Sequence, residues 1–159
     1  MNRIRLINIE NLSSIIKFID DNSNEFNDFK KIGWNIKNIE SQFIKDSNYS
    51  LGYYEANNLF GVLIGDIIKN DNVYDLELHI LFVSKKLRRK KIATKLINYI
   101  ETNNVNFSKI FIEVAEDNVD AISFYQKNNF VFSNFRHNYY RYNDKNIHAK
   151  CFIKKINYE

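Results

Sequence analysis

Two side chains in this sequence are chemically conspicuous against their neighbours. Glu113 interrupts the run Ile110-Phe111-Ile112-Glu113-Val114-Ala115, which is otherwise apolar on both faces of a strand. A carboxylate there faces desolvation unless it has a task or a partner. Desolvation raises its pKa toward neutrality, the range that suits a general base acting on an amine. The alternative is a strand-edge glutamate paired with a lysine. Tyr125 follows on a helix, on the same stripe as Val119 and Ile122. A buried tyrosine ordinarily fills the core and finds one hydrogen bond. Beside a leaving thiolate, its phenol (pKa ~10, against ~8.5 for a thiol) is a competent proton donor.

Other groups read in two ways as well. The run Arg88-Arg89-Lys90-Lys91-Ile92-Ala93 opens an amphipathic helix, so four cations and the free amides of a helix start form an anion site suited to a pyrophosphate. The same run also reads as a solvated basic face. Asp75, Glu77 and His79 share one face of a strand by its period of two. That pattern suggests a metal site, but it is also what any half-exposed strand shows. No metal is assigned, and Glu77 is held as a second candidate base. His137 and His148 lie far in sequence from any carboxylate cluster and read as surface or hairpin residues.

The elements that must position these groups mix both periods. Residues 3–9 alternate as a short strand, and 12–20 and 34–46 read as amphipathic helices. Strands over 51–55 and 59–68 are split by Asn57-Asn58, a pair suited to a tight hairpin. Asp71-Asn72 turns the chain into a strand over 73–83, and a helix over 92–102 buries Ile92, Ala93, Leu96, Ile97 and Ile100. A strand over 109–115 precedes a helix capped by Asn118 and stopped at Asn129, a residue at ease in the left-handed conformation. Strands over 130–142 and 147–156 close around Asn143-Asp144. The order predicts an α/β (α+β) domain with helices on a mixed sheet.

The chain has 159 residues, a net charge of +4 and one cysteine, Cys151. That length suits one domain over 1–159, and nothing in it resembles a linker or a repeat. An unpaired cysteine and no secretory leader point to the cytoplasm. No apolar run approaches the ~20 residues of a membrane helix. The modest positive charge favours a phosphate-bearing ligand.

Taken together, these residues resemble the GNAT acetyltransferase superfamily from about Trp34 onward. Its cofactor loop, Gln/Arg-x-x-Gly-x-Gly/Ala, matches at Arg88 and Ala93, with Lys91 at the middle glycine. A left-handed φ there costs a non-glycine residue ~1–2 kcal/mol. The residues also resemble the bacterial RimI branch. Ile112-Glu113-Val114, Asn118, Ala121-Ile122, Phe124-Tyr125 and Asn129-Phe130 follow its order and spacing, as does Arg136-His137-Asn138-Tyr139-Tyr140. Lys145-Asn146-Ile147-His148-Ala149 replaces that branch's common Gly-x-Glu-Asp-Ala, removing two acidic groups.

The resemblance implies a GNAT fold, a mostly antiparallel sheet of about six to seven strands with about four helices. It implies acetyl-CoA as cosubstrate and no metal, DNA or membrane. Glu113 would be the base for an α-ammonium and Tyr125 the acid for the departing thiolate. Backbone groups of Leu81, Phe82 and Val83 and the side chain of Asn118 would hold the pantetheine arm, and residues Arg88, Arg89, Lys90, Lys91, Ile92, Ala93 and Thr94 the pyrophosphate. Trp34, Glu77, Tyr139 and Tyr140 would border the acceptor, with Glu25, Asp28 and Glu40 as further acidic candidates. The implied acceptor is the N-terminal alanine of a small-subunit ribosomal protein. The alternatives are a small amine (polyamine, aminoglycoside or amino acid) and a non-catalytic module binding acyl-CoA or RNA.

Overall fold

The computed structural model describes residues 3–103 and 106–156. Strand β1 (Ile4–Leu6) leads into helices α1 (Leu12–Asp21), α2 (Asn27–Lys31) and α3 (Ile36–Phe43). Then come β2 (Asn48–Glu55), β3 (Asn58–Asn70), β4 (Val73–Val83), α4 (Ile92–Asn103), β5 (Phe107–Ala115), α5 (Val119–Lys127), β6 (Val131–Tyr142) and β7 (Lys145–Lys155). The strands form one sheet in the order β1-β2-β3-β4-β5-β7-β6. Every neighbouring pair is antiparallel except β4 with β5, which the α4 crossover joins in parallel.

Turn chemistry sets the meander. Asn143 and Asp144 take φ 49° and 59° between paired Tyr142 and Lys145, the double left-handed geometry that matches strand twist. The first hairpin is shifted by one residue from the sequence reading. Its left-handed pair is Ala56-Asn57 (φ 46° and 67°), and Asn58 already pairs with Glu55. Asn129 stops α5 at φ 65°, as its type predicts. The helix α2 was not legible, because five residues are too few to show a 3.6-residue period.

The helices cover both faces of the sheet. On one face Ile92, Leu96, Ile97 and Ile100 of α4 pack with Leu76, Leu78, Ile110, Ile112 and Val114. On the other, Ile15, Phe18 and Ile19 of α1 and Ile39 and Phe43 of α3 pack with Val62, Ile64, Ile80 and Phe82. Each fully buried side chain of this size stabilises the fold by roughly 1.5–3 kcal/mol. Even-numbered positions of β4 therefore change sides, from Leu76 and Leu78 on one face to Ile80 and Phe82 on the other.

A β-bulge makes that change. Ile64 pairs with Ile80 while the next residue, Gly65, pairs with Leu78, so His79 is the extra residue on β4. Gly65 is required there, because a Cβ would meet the Glu77 carbonyl oxygen at 2.5 Å. The bulge bends β4, and its pairing with β5 ends at Leu78 opposite Ile112 although both strands continue. The parallel strands diverge into a wedge.

Candidate active site

The wedge is lined by peptide groups that the ladder no longer uses. Ser84 gives its N–H to the Phe60 carbonyl (2.8 Å), whereas the Val83 carbonyl accepts from Arg88 Nε (3.3 Å). Alternate residues, Leu81 and Val83, thus aim their peptide groups away from β3 and toward β5. Amides and carbonyls that no neighbouring strand takes up, in a partly desolvated slot, call for a ligand that presents an amide chain of its own. The wedge opens into a cleft of about 650 Å³ lined by Leu81, Phe82, Val83, Arg88, Ala93, Asn118 and Tyr125. The Phe82 side chain is buried in the α1/α3 core, so only its backbone is available.

The loop entering α4 carries two non-glycine left-handed residues, Arg89 (φ 63°) and Lys91 (φ 58°). Lys91 therefore adopts the conformation that a glycine supplies without penalty, at a cost of ~1–2 kcal/mol. Alternating handedness of this kind turns successive amides toward a common point, which favours an anion. Arg88 and Ala93 line the cleft; Arg89, Lys90 and Lys91 are exposed around it. Ile92 is buried in the α4 core and can contribute only its backbone, and Thr94, half-buried, does not line the cleft. The Asn118 side chain accepts the Ala121 amide at 3.2 Å, so its first task is capping α5.

Tyr125 lines this cleft while its ring packs edge-on against Phe124 and Phe130. Burial pushes its phenol well above the ordinary value, keeping it protonated and able to donate. No described residue is hydrogen-bonded to its hydroxyl. Its stripe differs from the sequence reading at Val119, which is exposed.

A second cleft, of about 750 Å³, lies between the connection from α2 to α3 and the β6–β7 hairpin. Gly33, at φ 98°, turns the chain after α2 so that Trp34 reaches this cleft, where its ring lies 5.6 Å from that of His79. Tyr139 and Tyr140 form the opposite wall, ring to ring at 4.9 Å. Burial, with the Glu113 charge next in importance, raises the Tyr140 phenol. Glu77 also lines this cleft. Glu25 and Asp28 line the wedge cleft instead, and Glu40 lines neither.

Glu113 belongs to both clefts, together with Ile32, His79 and Ile112. Its strand is interior, between β4 and β7, and its partner is an arginine, so the edge-glutamate-with-lysine reading does not describe it. Arg136 Nη1 meets Glu113 Oε1 at 2.5 Å, and its guanidinium lies 3.7 Å from the Tyr139 ring centroid. The hydrogen bond to Glu113 raises the Arg136 pKa further.

Sequence reasoning missed Arg136 as the partner of Glu113, and it missed Asp66. Asp66 Oδ2 lies 2.9 Å from His79 Nε2, and its carboxylate also takes hydrogen bonds from Gln42 (2.7 Å), Ser47 (2.8 Å) and Lys45 (3.1 Å). Burial alone would raise its pKa, but these four donors outweigh burial and hold it at about 2. The available signal was the one that exposed Glu113, a carboxylate inside an apolar strand. Asp75 is occupied by Asn70 and Ser108 (both 2.6 Å), and among the described residues no three His, Cys, Asp or Glu side chains are grouped to hold a metal ion. His137 and His148 sit on the β6–β7 hairpin with rings 4.9 Å apart. No helix among the described residues is long and apolar enough to cross a membrane.

Comparison with known proteins places this architecture. No curated protein matches the chain in sequence. Among solved structures it is similar to NAA60 of Arabidopsis thaliana in complex with a bisubstrate analogue, at 17% identity and a TM-score of 0.75 over 97% of each chain. It is similar to the ribosomal-protein alanine N-acetyltransferase of Escherichia coli, at 17% identity and a TM-score of 0.74 over 100% of this chain and 96% of that one. It is likewise similar to the spermidine N-acetyltransferase of Vibrio cholerae in complex with CoA and spermine, at 18% identity and a TM-score of 0.75 over 96% and 94%. Residues 16–130 match the profile of the Acetyltransferase (GNAT) family. With its mixed seven-stranded sheet and a wedge between two parallel strands, the chain belongs to the GNAT acetyltransferases, whose enzymes use acetyl-CoA.

Proposed function

We propose that the chain acetylates the N-terminal α-amine of a protein, with the N-terminal alanine of a small-subunit ribosomal protein as the specific acceptor. The observation that carries this reading is the charge inventory of the second cleft. It holds two carboxylates, Glu77 and Glu113, and Arg136 pairs with the second. One unpaired carboxylate among aromatic walls suits a single ammonium entering the cleft. A polyamine brings several ammoniums, each needing a partner once desolvated. The fold likeness extends equally to the ribosomal-protein enzyme and to the spermidine enzyme, so the choice between them rests on the cleft.

In this reading the pantetheine arm lies in the wedge against the Leu81 and Val83 peptide groups and Asn118, and the pyrophosphate sits on the loop from Arg88 to Thr94. The acceptor enters the second cleft past Trp34, Glu77, Tyr139 and Tyr140. Glu113, shared by both clefts, removes a proton from the ammonium, because a protonated amine has no lone pair to attack with. A peptide N–H of the Leu81–Val83 segment meets charge developing on the thioester oxygen, and Tyr125 protonates the departing sulfur. No covalent enzyme intermediate is involved.

The test is thiol release from acetyl-CoA with a short peptide bearing the ribosomal Ala-Arg N-terminus, beside spermidine and an aminoglycoside. Turnover on the peptide at least tenfold above the others supports the proposal. Preference for either small amine replaces it.

A further inference from the structure

This reaction removes two protons from nitrogen in each turnover, and one carboxylate holds one proton at a time. The acceptor nitrogen arrives with three protons and leaves as an amide with one. Its lone pair forms the C–N bond, the C–S bonding pair departs with sulfur, and sulfur takes one proton from Tyr125. The nitrogen therefore sheds two protons, and Glu113 can hold one.

We propose that His79 is the second proton acceptor at the junction of the two clefts. This rests on the roles of Glu113 and Tyr125 given above. His79 borders both clefts, because the bulge makes it the extra residue on β4, outside the pairing register with β3. Its Nε2 faces Asp66 at 2.9 Å. A charged carboxylate has no proton to give, so Nε2 carries the hydrogen of this contact, which in the neutral ring leaves the lone pair on Nδ1. No described residue is hydrogen-bonded to Nδ1. Asp66 is itself immobilised by Gln42, Ser47 and Lys45, and the Trp34 ring lies against the imidazole. This is the arrangement by which a carboxylate fixes a histidine tautomer and offsets the charge it gains on accepting a proton. The charged groups around the ring are Asp66 from β3, Lys45 from the α3–β2 connection through Asp66, Glu77 from β4, Glu113 from β5 and Arg136 from β6.

In each turnover Glu113 takes one proton and His79 Nδ1 the other. One of the two returns to the Tyr125 phenolate, and the imidazolium passes the net proton to solvent through the open second cleft.

Two measurements test this. Nitrogen-15 NMR of the imidazole needs no acceptor, so it is independent of the acceptor identity. In the wild type Nε2 is expected to hold its hydrogen toward Asp66, and Asp66→Ala should release that preference between the two ring nitrogens. A ring carrying its hydrogen on Nδ1 would overturn the proposal. In kinetics, using whichever acceptor the wild type turns over best, His79→Gln should lower kcat about 100-fold. Acetyl-CoA affinity should stay within about twofold, and imidazole should partly restore His79→Ala. Wild-type kcat in His79→Gln, or a loss with the pH profile unchanged and no rescue by imidazole, would reduce His79 to a packing residue. Failure of Glu113→Gln to slow turnover while His79→Gln does so would instead count against the Glu113 assignment.

Discussion

The two clefts that meet at Glu113 are built from different material. The wedge is made by backbone, from peptide groups released where β4 bends away from β5 and from a loop whose handedness alternates at Arg89 and Lys91. The acceptor cleft is made by side chains, from Trp34, Glu77, Arg136, Tyr139 and Tyr140. A site made of backbone survives substitution as long as the fold does. This explains how a chain 17–18% identical to the solved structures it resembles keeps their architecture, and how a lysine stands at the loop glycine. A site made of side chains changes with single substitutions, so in the proposed reading acceptor choice is decided there.

The largest effect that would sharpen this contrast is expected at the residue common to both clefts. Glu113→Gln should lower kcat by about 10²–10³ with acetyl-CoA affinity within about twofold, measured by single-turnover kinetics and calorimetry. Tyr125→Phe should cost about 10–10² in kcat, again with cofactor binding intact. Arg136→Gln acts on the acceptor side alone, raising acceptor KM by about tenfold while acetyl-CoA KM holds. An equal change in both KM values would break the division between the clefts. The smallest effect should come from Lys91→Gly. Relief of the left-handed conformation exceeds the added unfolded-state freedom of glycine, raising the melting temperature by about 2–4 °C without weakening acetyl-CoA binding by more than about threefold. A large loss of affinity would show that the lysine side chain, and not the loop backbone, holds the anion.

Much of the architecture was legible because periodicity is a local property. The stripe Ile92, Leu96, Ile97 and Ile100 packs as expected, and Asn118 caps and Asn129 stops α5 as their chemistry dictates. Ala93 left the predicted stripe because it faces the wedge cleft. The bulge at His79 was hidden because its cause lies on the neighbouring strand, where Gly65 admits the Glu77 carbonyl. The partner of Glu113 was hidden for a similar reason, since Arg136 is 23 residues away and reaches it only through the sheet order. Asp66 broke an apolar strand as visibly as Glu113 did, yet the sequence does not show that its neighbour across the bulge is a histidine. The alternative of a non-catalytic RNA-binding module falls with membership of an enzyme family.

The strand order also governs when the acceptor cleft can exist during synthesis. β7 follows β6 in the chain but inserts between β5 and β6. The meander from β1 to β4 pairs neighbour with neighbour and can assemble as it emerges, whereas β5 must wait for residues beyond Lys145 to cover its far edge. Until then Glu113 lies on an open strand margin without the hairpin that carries Arg136, Tyr139 and Tyr140. A nascent chain halted within β7 would present a long unpaired edge to its neighbours on the polysome, a setting that favours aggregation over release of a slightly shortened enzyme.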